Sequence, residues 1–184
     1  GAISQLVFVT FGGIGTGIAV LVGNTLGKNE LEVAKDNAKK VIAFAVVFAF
    51  FTGIILFILS FFVLDLYDIS DVTKSIAKSN IRINAIFIPV FSFNVSMYFT
   101  LRAGGDTRST MMMDSGYMWI VPVPLIFILA RVTDWSVITL FLIVQLLEIP
   151  KSIFALSRYR KEHWVRNLAS ENQVNAEKLM LAEN

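Results

Sequence analysis

Three stretches of this chain carry no charge at all: residues 1–27, 41–64 and 83–101. A helix that crosses a bilayer needs about 20 predominantly apolar residues, and each of these runs is long enough. Two more apolar runs, 111–130 and 136–156, are interrupted only by Asp114 and by Glu148 and Lys151. Five spans are therefore predicted, at about residues 2–22, 41–64, 83–101, 111–130 and 136–156. Backbone polar groups in hydrocarbon must be satisfied within the protein, so the predicted fold class is all-α, a polytopic membrane helical bundle. Charged residues make up 16% of the chain, against about 25% in soluble domains. The mean hydropathy is +0.68.

The same composition narrows the chemistry. Lys and Arg number 16 against 14 Asp and Glu, a net charge of +2, so nucleic acid is not an implied partner; the lipid bilayer is. With no cysteine and a single histidine, His163, neither a thiolate site nor a His-built zinc site can be assembled. No metal and no cofactor are expected. Gly13-Ile14-Gly15-Thr16-Gly17 looks like part of a dinucleotide loop but lies inside an apolar run with no strand before it. Gly23-Asn24-Thr25-Leu26-Gly27-Lys28 is one residue short of a phosphate loop, and Asn29 stands where a magnesium-binding Ser or Thr would be needed. With no nucleophile–base pair either, the chain is not expected to be an enzyme. Gly13 and Gly17 read instead as a small-xxx-small contact for a neighbouring helix.

The chain opens on Gly1 inside an apolar segment, without the basic region or cleavage site of a signal peptide, and reads as a piece of something longer. Residues 1–157 are expected to form the transmembrane bundle and residues 158–184 a polar tail, helical on the surface or partly disordered. Residues 28–40 alternate in sign and read as a short surface helix. Residues 65–82 read as an amphipathic segment, with Ile69, Val72, Ile76, Ala77 and Ile81 at helical spacing. Residues 131–135 read as a tight turn anchored by Trp135. Alternate connections differ sharply in basic charge. Lys28, Lys35, Lys39, Lys40, Arg102, Arg108 and six residues of the last helix end and tail make twelve on one side, against Lys74, Lys78, Arg82 and Arg131 on the other. Cytoplasmic loops carry the Lys and Arg excess, so the tail and the 101–108 loop are predicted to be cytoplasmic.

Polar groups inside spans are costly and mark pathways or partners. Glu148 lies ten residues before Arg158, roughly 15 Å inside the helix end at the α-helical rise, near the middle of a hydrocarbon core about 30 Å thick. Gln145 is one turn before it, and Lys151 and Ser152 one turn after. Two readings stand: a cation- or proton-binding carboxylate lining a cavity, or a Glu148–Lys151 pair snorkelling to the surface. Asp114, four residues into its predicted helix, is expected in the interface near Arg108. Asn94 is placed to bond across helices or to meet a substrate. Pro122 and Pro124 are expected to bend the fourth span.

Between the third and fourth spans stands Leu101-Arg102-Ala103-Gly104-Gly105-Asp106-Thr107-Arg108. This segment resembles the L-R-G-x-G-D-T-R loop of the multidrug and toxic compound extrusion (MATE) family. Val22-Gly23-Asn24-Thr25-Leu26-Gly27-Lys28-Asn29, followed by Ala34, resembles that family's V-G-Q-x-L-G-A-G-x…A segment. Gly116-Tyr117-Met118-Trp119 and Pro122 follow in the family's order, and the resemblance runs to about Arg158. It implies half of a two-lobe transporter, helices eight to twelve of twelve, with the N-terminal lobe of the same protein as partner. It further implies export of small organic cations or amphipathic drugs across the plasma membrane in exchange for Na+ or H+, the coupling ion. In this frame Arg102, Gly104, Gly105, Asp106 and Arg108 form a cytoplasmic brace, Asp106 pairing with an arginine across a tight Gly-Gly turn. One departure matters. Many members carry an acid midway along the third span, near Phe91 here, and residues 83–101 contain none. Coupling would then rest with the other lobe or with Glu148. Glu148, Gln145, Asn94 and Asp114 are the pathway candidates. A lipid-linked saccharide flippase of the same superfamily, or a non-transporting membrane scaffold or assembly subunit, are the alternatives.

Overall fold

The computed structural model describes residues 2–63 and 70–167. Five helical segments are long and apolar enough to cross a membrane, and the chain is an all-α, multi-pass membrane bundle. The first three spans are single helices: α1 (Ala2–Gly27), α2 (Leu31–Leu59) and α3 (Asp71–Ala103). The last two are broken. The fourth runs through α4 (Thr107–Met111), a π-helical turn (Met112–Gly116), α5 (Tyr117–Ile120) and α6 (Pro122–Val132), and the fifth through α7 (Val137–Leu146) and α8 (Glu148–Arg160).

Two expected connecting helices are absent as separate elements. The charged residues 31–40 are the first turns of α2, which runs unbroken into its span. No Gly or Pro interrupts residues 31–52, so nothing stops the helix from propagating out of the apolar region. Residues 71–82 are likewise the opening of α3, capped by Ser70, whose hydroxyl accepts the Thr73 N–H at 3.4 Å. The rest of that amphipathic segment, 65–69, lies outside the described residues, as does the tail beyond 167.

The turns between α1 and α2 and between α3 and α4 are built alike. In the first, the N–H groups of Asn29 and Glu30 donate to the carbonyls of Leu26 and Thr25 at 3.0 and 3.1 Å. In the second, those of Gly105 and Asp106 donate to Arg102 and Leu101, both at 3.0 Å. This nested pair is the Schellman helix stop, which needs one left-handed residue. Asn29 (φ 63°) and Gly105 (φ 76°) supply it.

α3 is the hub, packed on α1, α2, α4, α7 and α8. Against it α2 buries Ala34, Ala38, Ile42, Ala45, Ala49 and Gly53, a stripe at three- and four-residue spacing. The second span is therefore not lipid-like all round. Its small face lies on α3 and α1, while Phe44, Phe48, Phe50 and Phe51 stand exposed on its outside. Backbones come close enough for the Ser92 hydroxyl to donate to the Ala45 carbonyl at 3.0 Å. A Cβ on Gly53 would fall 2.5 Å from the Ala85 carbonyl oxygen. In α1 the glycine in close contact is Gly15, against the Phe99 ring, while Gly13 and Gly17 face open space. The small-xxx-small pair is thus turned away from the helices described.

Proline explains the breaks. Pro122 and Pro124 lack the N–H groups that would bond back to Met118 and Ile120, and the helix steps at Val121 (φ −114°, ψ −70°). Pro150 does the same to Leu146, and α7 ends there, with α8 starting at Glu148.

Candidate transport site

The break before Glu148 sets its carboxylate in the first turn of α8, facing α3. Asn94 of α3, 3% exposed, is the receiving group. Its side-chain amide donates to Glu148 Oε2 at 2.7 Å and to the Glu148 carbonyl at 3.1 Å. The Asn94 carbonyl oxygen in turn accepts the Ser152 hydroxyl at 2.8 Å. Lys151 completes the group, its ammonium 3.4 Å from Glu148 Oε2. The acid contacts Lys151 and is also tied inward to α3 through Asn94, but it does not itself line the adjoining cavity. Side chains of the pair are only 20% and 22% exposed, so each charge is partly stripped of water and depends on its partner.

A cavity of about 480 Å³ opens beside this group between α1, α3, the π-helical turn and α8. Asn94, Lys151, Asp114, Arg102 and Thr16 supply its polar wall, and Phe91, Val95, Tyr98 and Phe99 much of its apolar one. Asp114 therefore lies on the cavity wall, across from α3. The fourth span starts at Thr107, four residues earlier than predicted, which carries Asp114 roughly 10 Å from its end at the α-helical rise. The π-helical turn that presents it is a local over-widening of the helix, a feature concentrated at functional sites. Phe91, where the family resemblance called for an acid, is on the same wall. One turn along α3 from it, Asn94 draws in the acid of α8.

Gln145 is the candidate that stands apart. Its amide donates to Asn84 Oδ1 at 3.1 Å, a cross-helix bond between α7 and α3 away from the cavity lining. A further link was invisible in the sequence. The Tyr117 hydroxyl donates to the Leu147 carbonyl at 2.6 Å, bonding α5 to the break between α7 and α8.

The 101–108 loop is braced, but by other partners than those expected. The Asp106 carboxylate accepts the Ser109 N–H at 3.2 Å and so caps α4. The arginine that grips the turn is Arg166, which donates to the Gly104 and Gly105 carbonyls at 3.2 and 3.0 Å. A Cβ on Gly104 would come within 1.8 Å of the Trp164 carbonyl oxygen. Trp164 itself is 1% exposed, stacked on Tyr159 and donating its indole N–H to the Tyr159 carbonyl. Asn167 reaches the Gly27 carbonyl at 3.1 Å. Arg102 lies against Tyr98, donating to its hydroxyl at 3.3 Å, and Arg108 is exposed. A lone tryptophan in a polar tail was the one signal that residues past Arg160 join the core.

The MatE family model matches residues 2–128. The chain belongs to the MatE family. It is a family of transporters, so the MatE chain is not an enzyme. Among its described residues no group of three or more His, Asp or Glu is placed to hold a metal ion. The MatE chain is 24% identical over 153 residues to an uncharacterized transporter, YisQ, of Bacillus subtilis (strain 168). That alignment covers 83% of this chain and 34% of YisQ, so the MatE chain spans about a third of the relative's length. No solved structure matches it. The family match ends at residue 128, so Glu148, Lys151 and Ser152 are features of this chain beyond it.

Proposed function

We propose that the chain is the C-terminal lobe portion of a secondary active exporter that moves cationic or amphipathic compounds out of the cell in exchange for Na+ or H+. The observation that carries this reading is the buried Asn94 holding Glu148 and, through it, Lys151 beside a cavity whose wall also bears Asp114. Charge at that depth is costly unless it is used. The chain spans about a third of YisQ, which leaves room for a second lobe, and rocking of two lobes about a central site is how such transporters alternate access. In this reading residues 1–157 are the bundle, residues 158–184 the tail, and the basic end faces the cytoplasm of a plasma-membrane protein.

In this reading the network would couple the two fluxes. While Glu148 is ionised, it neutralises Lys151. Once a proton or Na+ occupies the carboxylate, Lys151 loses its ion-pair partner and keeps its charge on the cavity wall, with Asp114 the acid left there. A cationic cargo is then repelled, and one ion entering drives one cation out. In the full-length protein, Glu148→Gln keeps an oxygen for Asn94 and removes the titrating charge. We expect it to abolish ethidium efflux driven by a proton or sodium gradient in membrane vesicles while leaving insertion intact. Unchanged efflux would return Glu148 to a structural ion pair. One observation favours a second reading, the flippase: Arg102 joins Lys151 on the cavity wall, and two cations would suit an anionic lipid-linked cargo. Competition of ethidium efflux by a polyprenyl phosphate separates the two.

A further inference from the structure

We propose that a second pocket, between the first turns of α2 and the last turn of α8, binds a phosphate-bearing group at the membrane surface. The pocket measures about 270 Å³ and is lined by Lys35, Lys39, Tyr159, Arg160, Glu162 and Trp164, with Leu156 beside them. It is smaller than the roughly 300–1,000 Å³ typical of drug-sized ligands, a size for a headgroup. The transport reading gives it no role.

Charge in the pocket is unbalanced in one direction. Glu162 and Glu32 are both committed to Lys35, at 2.7 and 3.0 Å, and neighbouring Asp36 to Lys40 at 2.6 Å. Among the described residues Lys39 and Arg160 have no acidic partner, and they remain as two cations facing one space. A guanidinium fork with an ammonium beside it is the donor set that matches phosphate oxygens. Tyr159 adds a hydroxyl that is buried without a hydrogen-bond partner, which is costly unless something accepts from it. The floor is fixed by the stacked Tyr159 and Trp164 rings, 5.2 Å apart.

Position selects the source of the phosphate. The pocket sits at the ends of two spanning helices, the level of lipid headgroups, and basic pockets between spans recognise anionic ones. Ile149, Ile153, Leu156 and Arg160 follow each other at four-, three- and four-residue spacing along α8, with Ile149 and Ile153 43% and 67% exposed. An acyl chain laid on that apolar line would deliver its phosphate to Arg160. The assigned ligand is thus a phosphate diester, most directly that of an anionic phospholipid.

The test uses the full-length protein in neutral detergent, titrated with phosphatidylglycerol and read by native mass spectrometry. Lys39→Ala with Arg160→Ala should weaken binding roughly 10- to 30-fold, the loss of two cations near a headgroup. Lys39→Arg with Arg160→Lys should retain it. Tyr159→Phe, which keeps the ring, should weaken it about threefold, the lower end of a single hydrogen bond. Lys28→Ala with Lys40→Ala removes the same charge outside the pocket and should change little. Displacement of the lipid by millimolar glycerol phosphate would make the phosphate alone sufficient; its failure to displace would make the lipid the source. Both results support the pocket. Equal binding by the wild type and the Lys39/Arg160 variant, or an equal loss in the Lys28/Lys40 control, overturns it. No outcome depends on efflux.

Discussion

The first three spans and the last two are held by different kinds of contact. α1, α2 and α3 are unbroken, and α2 meets α3 along small residues close enough for a hydroxyl to reach a backbone carbonyl. The fourth and fifth spans are cut by prolines, and α7 buries none of its residues. Met113 and Ala155 reach into the apolar core of the first three, and the rest of the fastening to α3 and to each other is by side-chain hydrogen bonds, among them Asn94 to Glu148, Gln145 to Asn84 and Tyr117 to Leu147. Close backbone packing leaves no alternative arrangement. Discrete polar bonds between broken helices do, because each can be exchanged for another partner. The first group is therefore the frame, and the second carries the adjustable parts.

Three substitutions grade that contrast. Gly104→Ala should do most damage, because its Cβ would meet a backbone oxygen at 1.8 Å that moves only if the segment around Trp164 is unseated. We expect a loss of about 3 kcal/mol, the upper end for overpacking, seen as a large fall in melting temperature of the purified protein. A Gly104→Ala protein as stable as the wild type would mean that this end is not rigid. Asn94→Leu comes next. It leaves the Glu148 carboxylate with Lys151 alone, while Ser152 keeps the Glu148 carbonyl as acceptor at 2.9 Å, at a cost of about 2 kcal/mol for a charged group that loses a hydrogen bond. If stability is unchanged while efflux falls, the Asn94 link serves only transport, and the division between frame and moving part sharpens. Tyr117→Phe should be mildest, about 0.6 kcal/mol, the average for an interhelical hydrogen bond in a membrane. Faster amide exchange around Leu147 should accompany it, with α2 unaffected; exchange that rises equally in α2 would erase the contrast.

The five spans were legible because absence of charge over some 20 residues has almost one structural meaning in a bilayer. Their ends were less so. Residues 31–40 and 71–82 are polar enough to look like separate elements, yet helix propagation does not stop at the membrane surface. The small-residue stripe of α2, alanines and a glycine with Ile42 among them, was present in the sequence at three- and four-residue spacing, hidden under its phenylalanines. Among the site candidates, depth along a helix picked out Glu148 and Asn94, which do meet. Depth could not give direction. Gln145, one turn from Glu148, reaches a different asparagine across the kink made by Pro150. Asp114 is turned to the cavity by a π-helical turn that no residue pattern announced. Asp106 found the nearest N–H and not an arginine, because an acid at a helix start has a donor three residues away at no cost in chain ordering.

The Tyr117–Leu147 hydrogen bond has one more implication. It joins the fourth span, four residues before its kink at Val121, to the kink of the fifth span at Leu147. One such bond couples the two bends without locking them. While it holds, a change in the proline bend of the fourth span is passed to the start of the half-helix that carries Glu148, and once it is exchanged each bend is free of the other.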